Sequence, residues 1–121
     1  MRQFMLTRSL FDADITAQIT LLDDGIQALI CGGTRPHLGA VSIVEPDGAI
    51  STTQFPGHRE GIISEQWAKA FLAAGYSPNI VAAGIHYDHL SKGEIAAVLG
   101  LTDEMLREIL EKAHETQGAT F

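Results

Sequence analysis

Between Ile15 and Cys31 the chain alternates, turns and alternates back, and no other stretch restricts its fold as firmly. Ile15, Ala17, Ile19 and Leu21 interleave with Thr16, Gln18 and Thr20, the period of a half-buried strand. Asp23-Asp24-Gly25 follows, and Asp-Gly marks a hairpin because the tight turn needs positive φ. Ile26–Cys31 is then the return strand. A chain with this hairpin must build a sheet with one buried face.

The remaining first half continues in the same way. Phe4–Phe11 mixes apolar and polar residues without helix caps. Leu38–Val44 is apolar and β-branched, and it ends at Glu45-Pro46-Asp47-Gly48, a second turn. Ala49–Phe55 alternates through Ile50, Thr52 and Gln54. These segments predict an antiparallel meander of about five strands. The second half changes character. Ile63, Trp67 and Phe71 have the spacing of one buried helix stripe over Glu60–Ala74, and Gly75 suits the position just beyond its end. Ile80–Ile85 reads as a short buried strand. Ser91-Lys92-Gly93-Glu94 has the form of a capping box and opens a short helix through Leu99, which Gly100 ends. A last helix starts at Thr102-Asp103-Glu104 and places Leu106, Ile109, Leu110 and Ala113 on one face, with a loose tail over Gln117–Phe121. The expected class is α+β: a mainly antiparallel sheet of about five to six strands in the first two-thirds, covered on one face by two to three helices. The bare second face makes a homodimer the default expectation.

Composition bounds the rest. The 121 residues suit one domain, expected over 1–121, and 45% apolar with 19% charged residues is the make-up of a globular protein. Cys31 is the single cysteine, so there is no internal disulfide, and no stretch at the N-terminus reads as a signal peptide. No apolar run is long enough to span a bilayer, so the expectation is a cytoplasmic protein without a membrane partner. A net charge of −7, with eight scattered Lys and Arg, argues against nucleic acid, whose binding draws on a basic face. It does not argue against a small anion held by a local Arg or by backbone N–H groups.

Three short segments hold most of the unusual polar residues. In Gly32–Gly39, Gly32 and Gly33 permit turns or close approach, Arg35 offers a bidentate contact to phosphate or carboxylate, Pro36 stiffens the turn before His37, and Gly39 leaves room for a flat ligand. In Pro56–Glu60, His58 and Arg59 precede a helix N-terminus, where anions are favoured, and Glu60 suits a first helical turn. In Gly84–Asp88, His86 and Asp88 are spaced i, i+2 and point to the same side of extended backbone, where a carboxylate can fix an imidazole tautomer. Each segment alone is equally compatible with a plain turn, an ordinary helix start or a structural histidine. Together they fall at three predicted chain reversals, which converge if those reversals share one end of the sheet. His89 adjoins the third segment, and His114 falls on the exposed side of the last helix.

Gly-Gly-Thr-Arg-Pro-His-Leu-Gly-Ala-Val (32–41), Phe-Pro-Gly-His-Arg-Glu (55–60), Ala-Gly-Ile-His-Tyr-Asp (83–88) and Ser-Lys-Gly-Glu-Ile (91–95) resemble, in that order, the LpdD-like family of prenylated-flavin chaperones. The resemblance runs over roughly residues 15–115. It implies a protein that binds prenylated FMN, or FMN, and matures or supplies a UbiD-type decarboxylase without performing decarboxylation itself. Gly32, Gly33, Pro36, His37 and Gly39, then Pro56, Gly57, His58 and Glu60, then Gly84, His86 and Asp88 match its pattern. Arg35 and Arg59 stand where the family has a variable or different polar residue. The resemblance and the residues together give a cofactor-binding set of Gly32, Gly33, Arg35, Pro36, His37, Gly39, His58, Arg59, His86 and Asp88, with no catalytic residue. The Gly32–Gly39 turn and the His58–Arg59 helix start would hold the phosphate, and His37, His86 and Asp88 the polar edges of the flavin.

Other functions stay open on the residues alone. A small enzyme acting on a flavin or another anion would use His37 or His86 as acid or base. A metal-dependent hydrolase would use the histidines as ligands, but no H-x-x-x-H or H-E-x-x-H spacing is present and Cys31 lacks a partner, so no metal site is expected. A bare scaffold without ligand is the fourth reading.

Overall fold

The computed structural model describes residues 1–118, with side chains through Glu115. The hairpin closes where the sequence requires it. Strand β2 (Ala13–Leu22) pairs antiparallel with β3 (Gly25–Gly33), and Gly25 takes φ +116° at the turn. Strand β1 (Arg2–Leu10) adds antiparallel to the other side of β2. The second turn joins β4 (Ala40–Val44) to β5 (Ile50–Gln54); there Gly48 N–H donates to the Glu45 carbonyl and Ala49 N–H to Asp47 Oδ1.

The sheet is α+β as expected, but it is not a meander. Strand β6 (Asn79–His86) inserts between β3 and β4, so the order is β1-β2-β3-β6-β4-β5. β6 runs parallel to β3 and antiparallel to β4, which leaves four of the five pairings antiparallel. The connection from β3 to β4 must therefore cross β6. The predicted strand Leu38–Val44 is shorter than read, because Thr34–Gly39 is that crossing.

Two helices cover one face. Helix α1 (Gly61–Ala73) buries Ile63, Trp67, Ala68 and Phe71. It ends in a Schellman motif: Gly75 sits at φ +94°, Gly75 N–H donates to Leu72 O, and Tyr76 N–H donates to Phe71 O. Helix α2 (Lys92–Gly118) is continuous. This corrects the expected break at Gly100, and the end of α2 also takes in Gln117 and Gly118 of the predicted tail. Residues 119–121 of that tail lie outside the described residues. The capping box forms as read, with Glu94 N–H on Ser91 Oγ and Ser91 N–H on Glu94 Oε1. Ile15, Ile19, Ile30, Val81, Trp67, Phe71, Met105 and Ile109 form one core between sheet and helices. No helix among the described residues is long and apolar enough to cross a membrane.

Candidate functional site

Topology brings the three polar segments to one end of the sheet. β3 and β6 are parallel, so their C-terminal ends coincide. β4 runs against β6 and β5 against β4, which puts the start of β4 and the end of β5 at the same edge. Gly33–Gly39 leaves β3, Phe55–Glu60 leaves β5, and Tyr87–Asp88 leaves β6, all at that edge. The convergence expected from the sequence is a feature of the fold.

His37 is the centre. Its Nδ1 lies 3.1 Å from the Arg35 carbonyl, an oxygen that can only accept, so Nδ1–H is the donor of that contact and Nε2 is the atom turned toward the cluster. That Nε2 is 3.0 Å from His58 Nδ1 and 2.9 Å from Glu60 Oε1, and His58 Nδ1 is 3.6 Å from Glu60 Oε2. The carboxylate of Glu60 is nearly buried, at 10% side-chain exposure, and accepts the Arg59 N–H at 3.0 Å. Two ring nitrogens and a carboxylate thus face one point, an arrangement that suits a proton or a cation between them. The sequence reading treated Glu60 as a first-turn residue of α1. It is the N-cap, its side chain makes no cap hydrogen bond, and the carboxylate turns into the histidines instead. The i, i+2 spacing of His58 and Glu60 was the available signal, the same one that links His86 to Asp88.

His86 lies alongside, its ring centroid 6.1 Å from that of His37. His86 Nε2 is 2.9 Å from Asp88 Oδ1, as the spacing predicted. The hydrogen bond from His86 holds the Asp88 carboxyl below the usual carboxylate range, aided by the charges of His86, His89 and Arg35. His89 is exposed at φ +54°, and His114 is exposed on α2, away from the sheet edge. Cys31 faces the other side of the sheet, where burial pushes its thiol up and so keeps it protonated.

The polar cluster borders a groove of about 290 Å³ between the start of α1, the end of β6 and the first turns of α2. Arg59, Glu60 and His86 stand on its polar side, and Ile62, Ile85, Leu90, Ile95, Val98 and Leu99 supply most of the rest. None of these apolar residues was singled out by the sequence, because each also fits an ordinary amphipathic pattern.

Gly32 and Gly33 serve close backbone approach, as the sequence suggests: a Cβ would lie 2.2 Å from the Asp14 carbonyl oxygen at Gly32 and 2.0 Å from the His86 carbonyl oxygen at Gly33, whose φ is +81°. Gly32 and Gly33 belong to β3 and pair with Ile15 and His86. The N–H groups of Thr34 and Gly39 donate to the carbonyls of His86 and Ala83, so the turn spends them internally. The space above Gly39 is not open to a flat ligand; a Cβ there would lie 2.3 Å from Glu60 Oε2. At the start of α1 the Gly61 N–H donates to Gln54 Oε1, so this end of the helix is satisfied in part by the chain itself.

A family model described as prenylated flavin chaperone, LpdD-like domain, matches residues 10–114, a range that includes all three segments and the groove. The chain is also similar to Protein LpdD of Lactiplantibacillus plantarum, with 32% identity over 96 residues, covering 74% of this chain and 71% of that protein.

Proposed function

This chain belongs to the LpdD-like family of prenylated flavin chaperones, and we propose that it binds prenylated FMN at the converged sheet edge and passes it to a UbiD-type decarboxylase. The observation that carries the reading is a polar cluster opening onto an apolar groove. A prenylated flavin has the same division: a flat, largely apolar ring system with an added hydrocarbon, and a ribityl phosphate. In this reading the ring lies against Ile62, Ile85, Ile95 and Leu99, and the phosphate meets the guanidinium groups of Arg59 and Arg35. His86 and Asp88 meet polar edges of the flavin, and His37 and His58 border it. Gly32, Gly33, Pro36 and Gly39 shape the backbone that carries these side chains.

Holding without transforming is the role this site favours, so we assign no catalytic residue and place the protein beside its client enzyme in the cytoplasm. A second copy of the chain is the partner for the uncovered face of the sheet. Gel filtration of the purified protein after incubation with reduced prenylated FMN tests binding, under anaerobic and aerobic conditions. Co-elution with a flavin spectrum is expected, and complete separation under both conditions overturns the reading. Co-expression with a UbiD-type decarboxylase tests delivery: His37→Ala is expected to lower cofactor loading of that enzyme, and equal loading argues against a role for this site.

A further inference from the structure

We propose that His37 Nε2, His58 Nδ1 and a Glu60 carboxylate oxygen form a binding site for one first-row divalent transition-metal ion. The inference stands on geometry alone and does not depend on the flavin reading.

The ligand atoms of these three residues all lie within 4.8 Å of one another. An ion about 2.1 Å from three ligand atoms sets them about 3.0 Å apart on an octahedral face and about 3.4 Å apart in a tetrahedron. His37 Nε2 lies 3.0 Å from His58 Nδ1 and 2.9 Å from Glu60 Oε1, whereas the Glu60 oxygen 3.6 Å from His58 Nδ1 is Oε2, so the carboxylate presents one oxygen toward each histidine. Two imidazoles and one carboxylate on one face are the donor set of zinc sites with an open position and of non-haem iron sites. The two nitrogens select against calcium and magnesium, which take oxygen ligands.

The supporting shell has the form metal sites require. The Arg35 carbonyl accepts from His37 Nδ1–H, which orients the ring so that Nε2 would be the ligating atom. The Arg59 N–H holds Glu60 Oε2. Gly39, lacking a side chain, lets the carboxylate lie against β4. Side-chain exposures of 18% for His37, 34% for His58 and 10% for Glu60 leave the ligands shielded while an approach remains on the His58 side. Sequence spacing hid the site because 21 residues separate the two histidines; the β4–β5 hairpin brings them together, with Ala40 opposite Gln54 and the Phe55 N–H donating to the Gly39 carbonyl.

The test uses metal-free protein without flavin and Co²⁺ as the probe. Wild-type protein is expected to take up one equivalent, to give the visible absorption bands of a low-symmetry Co²⁺ site, and to show one paramagnetically shifted exchangeable imidazole proton for each ligating histidine. Glu60→Gln and His58→Ala are expected to weaken Co²⁺ more than about 100-fold, beyond the 10–100-fold that loss of an outer-shell partner produces. His114→Ala, on the exposed side of α2, is expected to bind as wild type does. If a variant fails to fold, the shifted imidazole protons of the wild type decide the case. Absence of uptake by the wild type, or binding without imidazole shifts, overturns the proposal. Because flavin is left out, that failure leaves the flavin reading untouched, and failure of flavin binding leaves the metal site standing.

Discussion

Gly84 has no side chain, and the carbonyl of His37 occupies the space where one would be. A Cβ there would lie 1.5 Å from that oxygen and 2.3 Å from its carbon, both backbone atoms. The whole crossing segment rests on this absence, so Gly84→Ala must lift His37 off the sheet. Overpacking of this kind costs about 1–3 kcal/mol. The expected outcome is that loss of stability by chemical denaturation, together with loss of the His37–Glu60 contact, read as altered imidazole NMR signals. Asp88 adds a pH dependence at the same edge. Its carboxyl is held below its ordinary value of 3.8 by the His86 hydrogen bond. A lowered folded-state pKa means that the native protein binds that proton less readily than the unfolded chain, so the contact contributes above the unfolded pKa and is lost as pH falls through the folded value. Acid titration followed by NMR is expected to release His86 from Asp88 in that range, and in Asp88→Asn this step is expected to be absent. At this scale the site histidines were legible because His37 follows a proline, His58 follows a glycine and His86 ends a strand. Glu60 was not, because a helix N-terminus explains an acidic residue without any partner.

Helix α2 is the element whose reading and structure part most clearly. Glycine after a helical run is the common sign of an end, which favoured a break at Gly100. Yet Gly100 lies inside a continuous helix, with nothing within 4 Å of a Cβ built there. Packing on both sides decides the matter: Val98 is buried before it, Met105, Leu106 and Ile109 are buried after it, and all reach the same core. Farther on, Glu108 pairs with Arg8, and Lys112 lies 5.0 Å from the centre of the Phe4 ring, which ties the helix to β1. The two readings make opposite predictions for Gly100→Ala. In a helix interior the change is expected to stabilise the protein by about 1 kcal/mol, whereas at a left-handed end it would destabilise it. A rise in the denaturation midpoint is the expected result. The insertion of β6 was equally hidden, since parallel pairing to β3 joins residues about fifty positions apart and leaves no local mark. The hairpins, the capping box and the Schellman glycine were readable because each is made by residues within a few positions of one another.

For the whole molecule, the sheet presents one face that no helix among the described residues covers. Leu29, Cys31, Val41, Ile43, Ile80 and Ala82 form its centre, where Ile43 pairs with Ile80 and both Leu29 and Val41 pair with Ala82. Ile43 is 40% exposed and Ile80 42%. Around them lie Thr16, Gln18, Thr20, Gln27, Ser51 and Thr53, all uncharged. Asp14 also lies on this face, but at its margin on β2, beside Ser9; the uncharged centre meets its own copy without like-charge repulsion, which is the condition a two-fold interface must satisfy, and interface centres are depleted of charge. Wild-type protein is therefore expected to sediment as a dimer at micromolar concentration. Ile80→Lys sets two cations against each other across the two-fold axis and is expected to yield a monomer. Ile80 pairs with Gln27 and Ile43, toward the end of the sheet opposite the histidines, so the monomeric variant is expected to keep its Co²⁺ spectrum and its flavin binding. A wild-type monomer in the ultracentrifuge, or an Ile80→Lys dimer as tight as wild type, would remove this face as the interface and leave the site at the opposite edge as it is.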